Sequence, residues 1–269
     1  MAFEIFAHHA HVFPQYVREI GSVDNLMRTM DACGISKAVC FAPFQHQVGA
    51  EHETTSVWLA KEIKNNDRLV GFGVIDFAKG DLKGQVDRIA DLGLRGIKMH
   101  PASQKFAVDG DMAFEVYARA EELGLFLSFH TGVHFHRLRD YQMWRFDEIA
   151  YHFKNLHFSM EHLGGYCDFF EGLSVMINNM PRHGEDPRVF AGLTSIYDRD
   201  KNRIWYMPDD RLYDLLWQTG DKASIFGLDF PYNGIEITKT AIKRIMELDL
   251  PEESKQLLLG GNLHRVLGL

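Results

Sequence analysis

Near its N-terminus the sequence reads Phe3-Glu4-Ile5-Phe6-Ala7-His8-His9-Ala10-His11, an apolar run that closes in histidines. Such a run predicts a β-strand, whose side chains alternate between two faces. His9 and His11 should therefore point to the same side at the carboxyl end of the strand. Two neutral imidazoles at this spacing can share one metal ion, most commonly Zn. His8 should point to the opposite face, where it would pack or contact a helix.

Seven further runs rich in β-branched and aromatic residues follow, at intervals of about 27 to 35 residues, the size of one strand-plus-helix unit. They start near residues 37, 69, 96, 125, 157, 189 and 224. Amphipathic segments with helical spacing lie between them, at residues 22–33, 53–64, 81–92, 112–123, 140–154, 166–178, 210–219 and 238–248. Ser22 is a plausible N-cap of the first segment, and Gly34 and Gly124 end two of them. Segment 195–209 is long for a loop and is expected to cover the site.

Eight strand-plus-helix units predict a (β/α)8 TIM barrel that forms a single domain over residues 1–269. An open doubly wound sheet is the alternative. It is disfavoured because the first strand-to-helix turn carries no glycine fingerprint for a dinucleotide. In a barrel, chemistry is carried out at the carboxyl ends of the strands.

Residues able to bind metal or transfer protons end five of the predicted strands. They are His9, His11, Lys98, His100, His130, His162 and Asp229. The alternation of side chains along a strand supports this set. On three of the strands, the terminal residue lies on the same face as the residues two and four positions before it. These faces are Phe126, Ser128 and His130; Phe158, Met160 and His162; and Ile225, Gly227 and Asp229. Packing does not explain such a pattern, so the strand ends predict a metal-dependent active site.

Composition narrows the class of partner and compartment. The formal net charge of −8 argues against a nucleic-acid-binding surface, which requires a concentrated basic patch. No apolar run reaches about 18 residues, so no membrane span is expected. No secretory signal is visible, and the three widely spaced cysteines, Cys33, Cys40 and Cys167, fit reduced thiols. We therefore expect a cytoplasmic enzyme that acts on a small molecule.

Six segments resemble motifs of one enzyme family, in family order from the first strand to the last helix. They are Ala7–Pro14, Gly93–Pro101, Phe129–Gly132, Glu161–Gly165, Phe226–Pro231 and Gly260–Leu269. On these segments the chain resembles the amidohydrolase superfamily, specifically its amidohydrolase-2 (amidohydrolase-related) branch. Two positions depart from the family pattern. Ala7 stands where the family usually has Asp, and Leu228 stands where it usually has a small polar residue.

The resemblance implies a metal-dependent barrel enzyme, usually a hydrolase, although some relatives decarboxylate aromatic or unsaturated acids without oxidation. Carried onto this sequence, it makes His9 and His11 the first two metal ligands, His130 the third and Asp229 the fourth. Asp229 would also accept a proton from the attacking water, and His162 would act as an acid, a base or an electrophile beside the metal. The metal would be one divalent ion, most plausibly Zn, with Mn as the alternative.

The remaining candidates concern the substrate and a second metal. In other branches of the superfamily a carboxylated lysine bridges two metals, but for Lys98 we favour a cation that faces an anionic substrate or a salt bridge inside the barrel. His100 lies on the same strand face as Lys98, and Arg137 either binds a carboxylate or lies in a solvated loop. Phe13 and Tyr232 are candidate pocket walls, with ordinary packing as the alternative. His52 and His183 fall in predicted loops, where surface positions are expected.

Three functions follow from this reasoning. The first is hydrolysis of a C–N or C–O acyl bond in a small carboxylate-bearing molecule. The second is non-oxidative decarboxylation of a small aromatic or unsaturated acid. The third is a barrel that binds metal or ligand without catalysis, which an intact water-activating set of residues disfavours. Family members are often dimers, so a homodimer is expected by resemblance, although no sequence feature fixes the oligomeric state.

Overall fold

The structure is a computed structural model that describes residues 4–49, 54–181 and 185–269. Within these residues eight parallel strands pair in chain order, and the last pairs with the first to close a barrel. The strands are β1 (Ile5–His11), β2 (Ile35–Phe41), β3 (Leu69–Val74), β4 (Gly96–Met99), β5 (Phe126–His130), β6 (Phe158–Glu161), β7 (Val189–Thr194) and β8 (Ser224–Phe230). The predicted (β/α)8 TIM barrel is confirmed. His52 and His183 lie outside the described residues.

The α-helices of the described chain connect and surround these strands. They are α1 (Val23–Cys33), α2 (Gln45–Val48), α3 (Thr55–Ile63), α4 (Leu82–Asp91), α5 (Pro101–Gln104), α6 (Asp111–Glu122), α7 (Arg145–His152), α8 (Phe169–Asn178), α9 (Asp209–Thr219), α10 (Ile235–Glu247), α11 (Glu252–Gln256) and α12 (Asn262–Leu267). Ser22 caps α1 by accepting a hydrogen bond from the Asn25 amide, and Gly34 ends it in a left-handed conformation. None of these helices is long and apolar enough to cross a bilayer.

The lower half of the barrel interior is filled by aromatic and aliphatic side chains. This cluster consists of Phe6, Val39, Phe41, Phe72, Phe126, Phe190 and Ile225, closed by Leu263 and Leu267 of α12. The upper half is polar instead, with Lys98, Ser128, Ser159 and Glu161 all buried. An apolar floor beneath a polar layer places the chemistry at the carboxyl ends of the strands, as expected for this fold.

Truncating the floor should weaken the whole barrel. Phe126 is buried, and its ring lies 5.9 Å from each of the rings of Phe72 and Phe190. We expect Phe126→Ala to lower the free energy of unfolding by about 3–5 kcal/mol, through lost burial and the cavity left behind. Denaturant unfolding measures this. Phe170→Ala is the matched control, because Phe170 is 59% exposed on α8 and should cost less than about 0.5 kcal/mol.

A bulge in β1 decides which histidines face the interior. Between Ala7 and Ala10 this strand advances three residues while β2 advances only two, and the backbone of His9 is left-handed, with φ of 68°. An extra residue of this kind breaks the simple alternation of side chains. As a result His8, His9 and His11 all point into the barrel.

The prediction that His8 occupies the opposite face is therefore wrong. Its ring packs edge-on against Phe41, Phe72 and Phe126 of the barrel floor. Its Nδ1 lies 3.2 Å from a carboxylate oxygen of Glu161, and both side chains are fully buried. His8 is a packing residue, as expected, but it packs inside the barrel rather than against a helix.

Candidate functional site

Two histidines of β1 and one aspartate of β8 form a compact group of potential metal ligands. The Nε2 atoms of His9 and His11 lie 3.1 Å apart. Asp229 Oδ1 lies 3.7 Å from the first of these nitrogens and 3.8 Å from the second. Catalytic metal sites commonly use two imidazoles and one carboxylate as ligands and keep one further position for water. The adjacent pairing of β1 and β8 brings three of the four predicted ligands together.

The protonation of this group suits metal binding. Burial lowers the pKa of His9 and His11 well below the usual value, so both imidazoles are neutral. Burial also raises the pKa of Asp229 to about 6. Ser195 donates a hydrogen bond of 2.6 Å to Asp229 Oδ2, which leaves Oδ1 toward the histidines.

His130, the remaining predicted ligand, lies at the end of β5 in a different cluster. Its nitrogens group with those of His100 and His134, and its ring stacks on His100 with centroids 4.0 Å apart. Its buried Nε2 has no hydrogen-bond partner within the described chain, which is the state of a nitrogen available to a metal. Ligation by His130 stays a prediction.

Metal content tests this ligand directly. His130→Ala should lower bound metal to well below one ion per chain, because a ligand is removed rather than a supporting contact. Elemental analysis of the metal-loaded, dialysed variant measures it. The matched control is His136→Ala, on the exposed loop after the same strand. Metal content equal to that of the control would show that His130 is not a ligand.

The neighbouring histidines form a hydrogen-bonded chain. The Ser103 amide donates to His100 Nδ1 at 3.3 Å, so the proton of the neutral His100 ring sits on Nε2. That N–H can donate to His134 Nδ1, 3.1 Å away. Both ring nitrogens of His100 are thus engaged within the protein, and its role in substrate binding stays a prediction.

His162 follows β6 directly and reaches the site through a left-handed backbone, with φ of 65°. Its Nδ1 lies 2.5 Å from the carbonyl oxygen of Thr194 and must donate to it, which leaves the Nε2 lone pair free. The ring stacks on Trp205, with centroids 4.6 Å apart. Burial lowers the pKa of His162 to about 4, so the neutral ring is a proton acceptor.

The predicted shared face of Phe158, Met160 and His162 is wrong for β6. Phe158 and Met160 belong to the core between barrel and helices, and Glu161 points inward instead. The left-handed turn after the strand brings His162 back over the barrel. The corresponding predicted faces on β5 and β8 do point inward, since Phe126 and Ile225 lie in the barrel floor.

Lys98 lies beside His9, the first candidate metal ligand. Its Nζ is 3.5 Å from His9 Nε2 and 5.0 Å from the centre of the Phe41 ring. Burial lowers the pKa of Lys98 to about 8, although the charges of Glu161 and Asp229 oppose this shift. A cation in this position can contact an anionic group bound next to the metal ligands.

The other predicted substrate-binding residues include Tyr232, Phe13 and Arg137. The ring of Tyr232 is half exposed and lies 5.6 Å from that of His11. Arg18, which sequence reasoning missed, donates to the Tyr232 hydroxyl at 3.2 Å and also stacks over the Phe13 ring. Phe13 is buried, and Arg137 is exposed in the loop after β5. Tyr232 thus borders the site, and the roles of Phe13 and Arg137 stay predictions.

Four of the residues that form the site have left-handed backbones although they are not glycines. They are His9 (φ 68°), His162 (φ 65°), Ser195 (φ 54°) and Asp229 (φ 56°), at or just beyond the carboxyl ends of β1, β6, β7 and β8. Such conformations cost free energy and cluster at functional sites. Three of these four residues are candidate metal ligands or the proton acceptor His162. The left-handed conformations therefore support the carboxyl end of the barrel as the location of the candidate active site.

Glu161 and Ser195 are further site residues that sequence reasoning missed. Glu161 is fully buried and accepts a hydrogen bond of 2.9 Å from His9 Nδ1. The sequence did contain a signal for Glu161, because Ser159 and Glu161 are polar residues at alternate positions of an otherwise apolar strand and should share its inward face. Ser195 carried no comparable signal, since its role depends on the backbone turn after β7.

Solved structures with the same fold include an uncharacterised protein, a protein named as a hydrolase and a protein named as a decarboxylase. An uncharacterised TIM-barrel protein from Bordetella bronchiseptica is 16% identical over 98% of both chains, with a TM-score of 0.77. A probable 2-pyrone-4,6-dicarboxylic acid hydrolase from Acinetobacter baumannii, with citric acid bound, is 16% identical over 99% of this chain and 100% of that one, with a TM-score of 0.71. A dihydroxybenzoic acid decarboxylase from a Polaromonas species, with bound manganese and the inhibitor 2-nitroresorcinol, is 14% identical over 100% of this chain and 98% of that one, also at 0.71.

Family membership rests on sequence rather than on these low identities, which show the fold alone. No curated protein matches the chain. The family profile described as amidohydrolase, in contrast, matches residues 9–269. This match begins at the first candidate metal ligand and includes every strand end described above. The chain belongs to the amidohydrolase family.

Proposed function

We propose that this protein is a metal-dependent hydrolase that cleaves a C–N or C–O acyl bond in a small carboxylate-bearing molecule. The observation that carries the proposal is the group of His9, His11 and Asp229, with the free Nε2 of His162 on the same end of the barrel. His130 is the proposed further ligand. The donors fit a divalent ion, because the imidazoles are neutral and His130 Nε2 has no partner in the described chain.

Each residue has a distinct role in the proposed reaction. His9, His11, His130 and Asp229 would hold a divalent ion, which would lower the pKa of bound water and polarise a carbonyl group. Asp229, whose pKa burial raises to about 6, accepts a proton from the water as it attacks. His162 relays this proton through Nε2 to the leaving nitrogen or oxygen as the acyl bond breaks, and the cation of Lys98 binds the substrate carboxylate. Trp205 stacks on His162 and shields it from solvent.

Decarboxylation is the second candidate, and the aromatic surroundings of the site favour it. The rings of Trp205 and Tyr232 lie beside His162 and His11, which suits a planar unsaturated acid. The Nε1 of Trp205 is also buried without a hydrogen-bond partner within the described residues, so it could donate to a substrate. In this reaction a proton would be delivered to carbon.

Turnover assays separate the two reactions. The metal-loaded protein should hydrolyse a member of a panel of amides, esters and lactones, lose this activity on chelation, and regain it with Zn or Mn. A decarboxylase would instead release CO2 from an acid panel and incorporate solvent deuterium at carbon. Absence of hydrolysis by metal-replete protein across the panel would contradict the leading proposal.

The metal, the compartment and the assembly complete the proposal. We propose one Zn ion per chain, with Mn as the alternative and a two-metal site bridged by carboxylated Lys98 as the less favoured arrangement. The three cysteines are free thiols, which supports a reducing, cytoplasmic location. A homodimer remains our expectation.

A further inference from the structure

A buried carboxylate in the centre of the barrel is left without a role by the proposed reaction. Glu161 is fully buried at the end of β6, directly above the aromatic floor. Burying a charged group is costly unless its partners compensate. The phenylalanines below show that this barrel can be filled with apolar side chains, so the packing itself does not require a carboxylate here.

The two oxygens of Glu161 have separate partners. Oε2 accepts hydrogen bonds from His9 Nδ1 at 2.9 Å and from the Thr194 hydroxyl at 2.7 Å. Oε1 accepts from the Ser159 hydroxyl at 2.5 Å, and lies 3.4 Å from the Ser128 hydroxyl. One oxygen therefore faces a candidate metal ligand, while the other anchors the carboxylate to its own strand and to β5.

Neighbouring glycines leave the space that this carboxylate occupies. A Cβ atom at Gly192 would lie 2.3 Å from Glu161 Oε2, and one at Gly227 would lie 2.0 Å from Thr194 Oγ1. Both distances are far below van der Waals contact. The absence of side chains at these two positions on β7 and β8 is thus required for the contacts of Oε2.

We propose that Glu161 is a positioning residue that sets the tautomer and orientation of His9. A carboxylate accepts but does not donate, so the hydrogen bond places the His9 proton on Nδ1. The Nε2 lone pair is then directed toward His11 and Asp229. Carboxylates behind metal-bound histidines act in this way and also raise the basicity of the ring. The inference rests on the proposed metal site and adds a residue to it.

Direct ligation of a metal by Glu161 is the competing interpretation, because His8, His9 and Glu161 also form a close group. The contacts oppose it. Both oxygens already accept hydrogen bonds, and the His9 nitrogen nearest to the carboxylate must carry the proton. A metal between them would have to displace that proton and the hydroxyl donors.

The test compares metal affinity in three proteins without using activity. E161M removes the acceptor at similar length, whereas S159A removes a contact of Oε1 and leaves Oε2 in place. Chelator competition with Zn should give a dissociation constant about 10–100-fold higher for E161M. S159A should match the wild type within error. Equal affinities of E161M and wild type, or an equal loss in both variants, would overturn the proposal.

A measurement on the wild type guards against a variant that does not fold. In metal-free protein, ¹⁵N shifts of the assigned His9 ring should show protonation at Nδ1. Protonation at Nε2 would overturn the proposal. Failure of the proposed function is distinguishable, because wild-type protein that binds no Zn rejects the metal site itself, whereas tight Zn binding with unchanged E161M affinity rejects only the role of Glu161.

Discussion

His162→Asn is expected to leave bound metal largely intact while lowering kcat by about a hundredfold or more, the usual effect of losing an acid/base group. His162 lies outside the group of His9, His11 and Asp229, and its Nδ1 donates to the Thr194 carbonyl. Asparagine cannot accept a proton as the imidazole Nε2 does. Steady-state kinetics and elemental analysis of the same preparation measure the two effects.

His157→Asn is the matched control, because the same exchange is made at the opposite end of the same strand. It should retain both metal and activity. If His162→Asn empties the site, the single-metal arrangement is wrong. A two-metal site using Lys98, His130 and His162, with the ions roughly 3.5–4 Å apart, would then be the better account.

Asp229→Asn is expected to abolish turnover and to lower bound metal well below one ion per chain. Its Oδ1 lies within 3.8 Å of both histidine nitrogens. An amide supplies neither the negative charge that holds a divalent ion nor the proton acceptor that the proposed reaction needs. Metal analysis and turnover with saturating metal measure both losses.

Asp210→Asn, at an exposed position at the start of α9, is the control and should behave as wild type. Full metal content in Asp229→Asn would remove Asp229 from the ligands. Wild-type turnover of Asp229→Asn at saturating metal would remove Asp229 from the chemistry instead.

The barrel could be predicted from the sequence because local signals agree along the chain. Short apolar runs alternate with amphipathic segments, and caps such as Ser22 and Gly34 are read from single residues. The predicted helix at 140–154 is shorter in the structure, Arg145–His152, because a 3-10 turn occupies Leu138–Tyr141. Such boundaries depend on tertiary contacts that the pattern of apolar residues does not encode.

The site was less predictable because its backbone departs from regular strands. Counting alternate residues placed His9 and His11 on one face, which is correct, but it misplaced His8, since the bulge at His9 is invisible in the sequence. Strand alternation also placed His162 at the site, but it is the left-handed turn after β6 that brings the residue there. Strand alternation did not single out Glu161. Residues that depend on left-handed turns or on strands distant in sequence require the folded chain.

Metal content with and without His11 tests the central claim most directly. We expect wild-type protein loaded with Zn or Mn and then dialysed to retain about one divalent ion per chain, the count of a single catalytic site. His11→Ala should lose that ion together with turnover, because its Nε2 lies 3.1 Å from that of His9 in the candidate ligand group. Wild-type protein that turns over substrate without metal, or a His11→Ala variant that retains the full ion, would contradict the account.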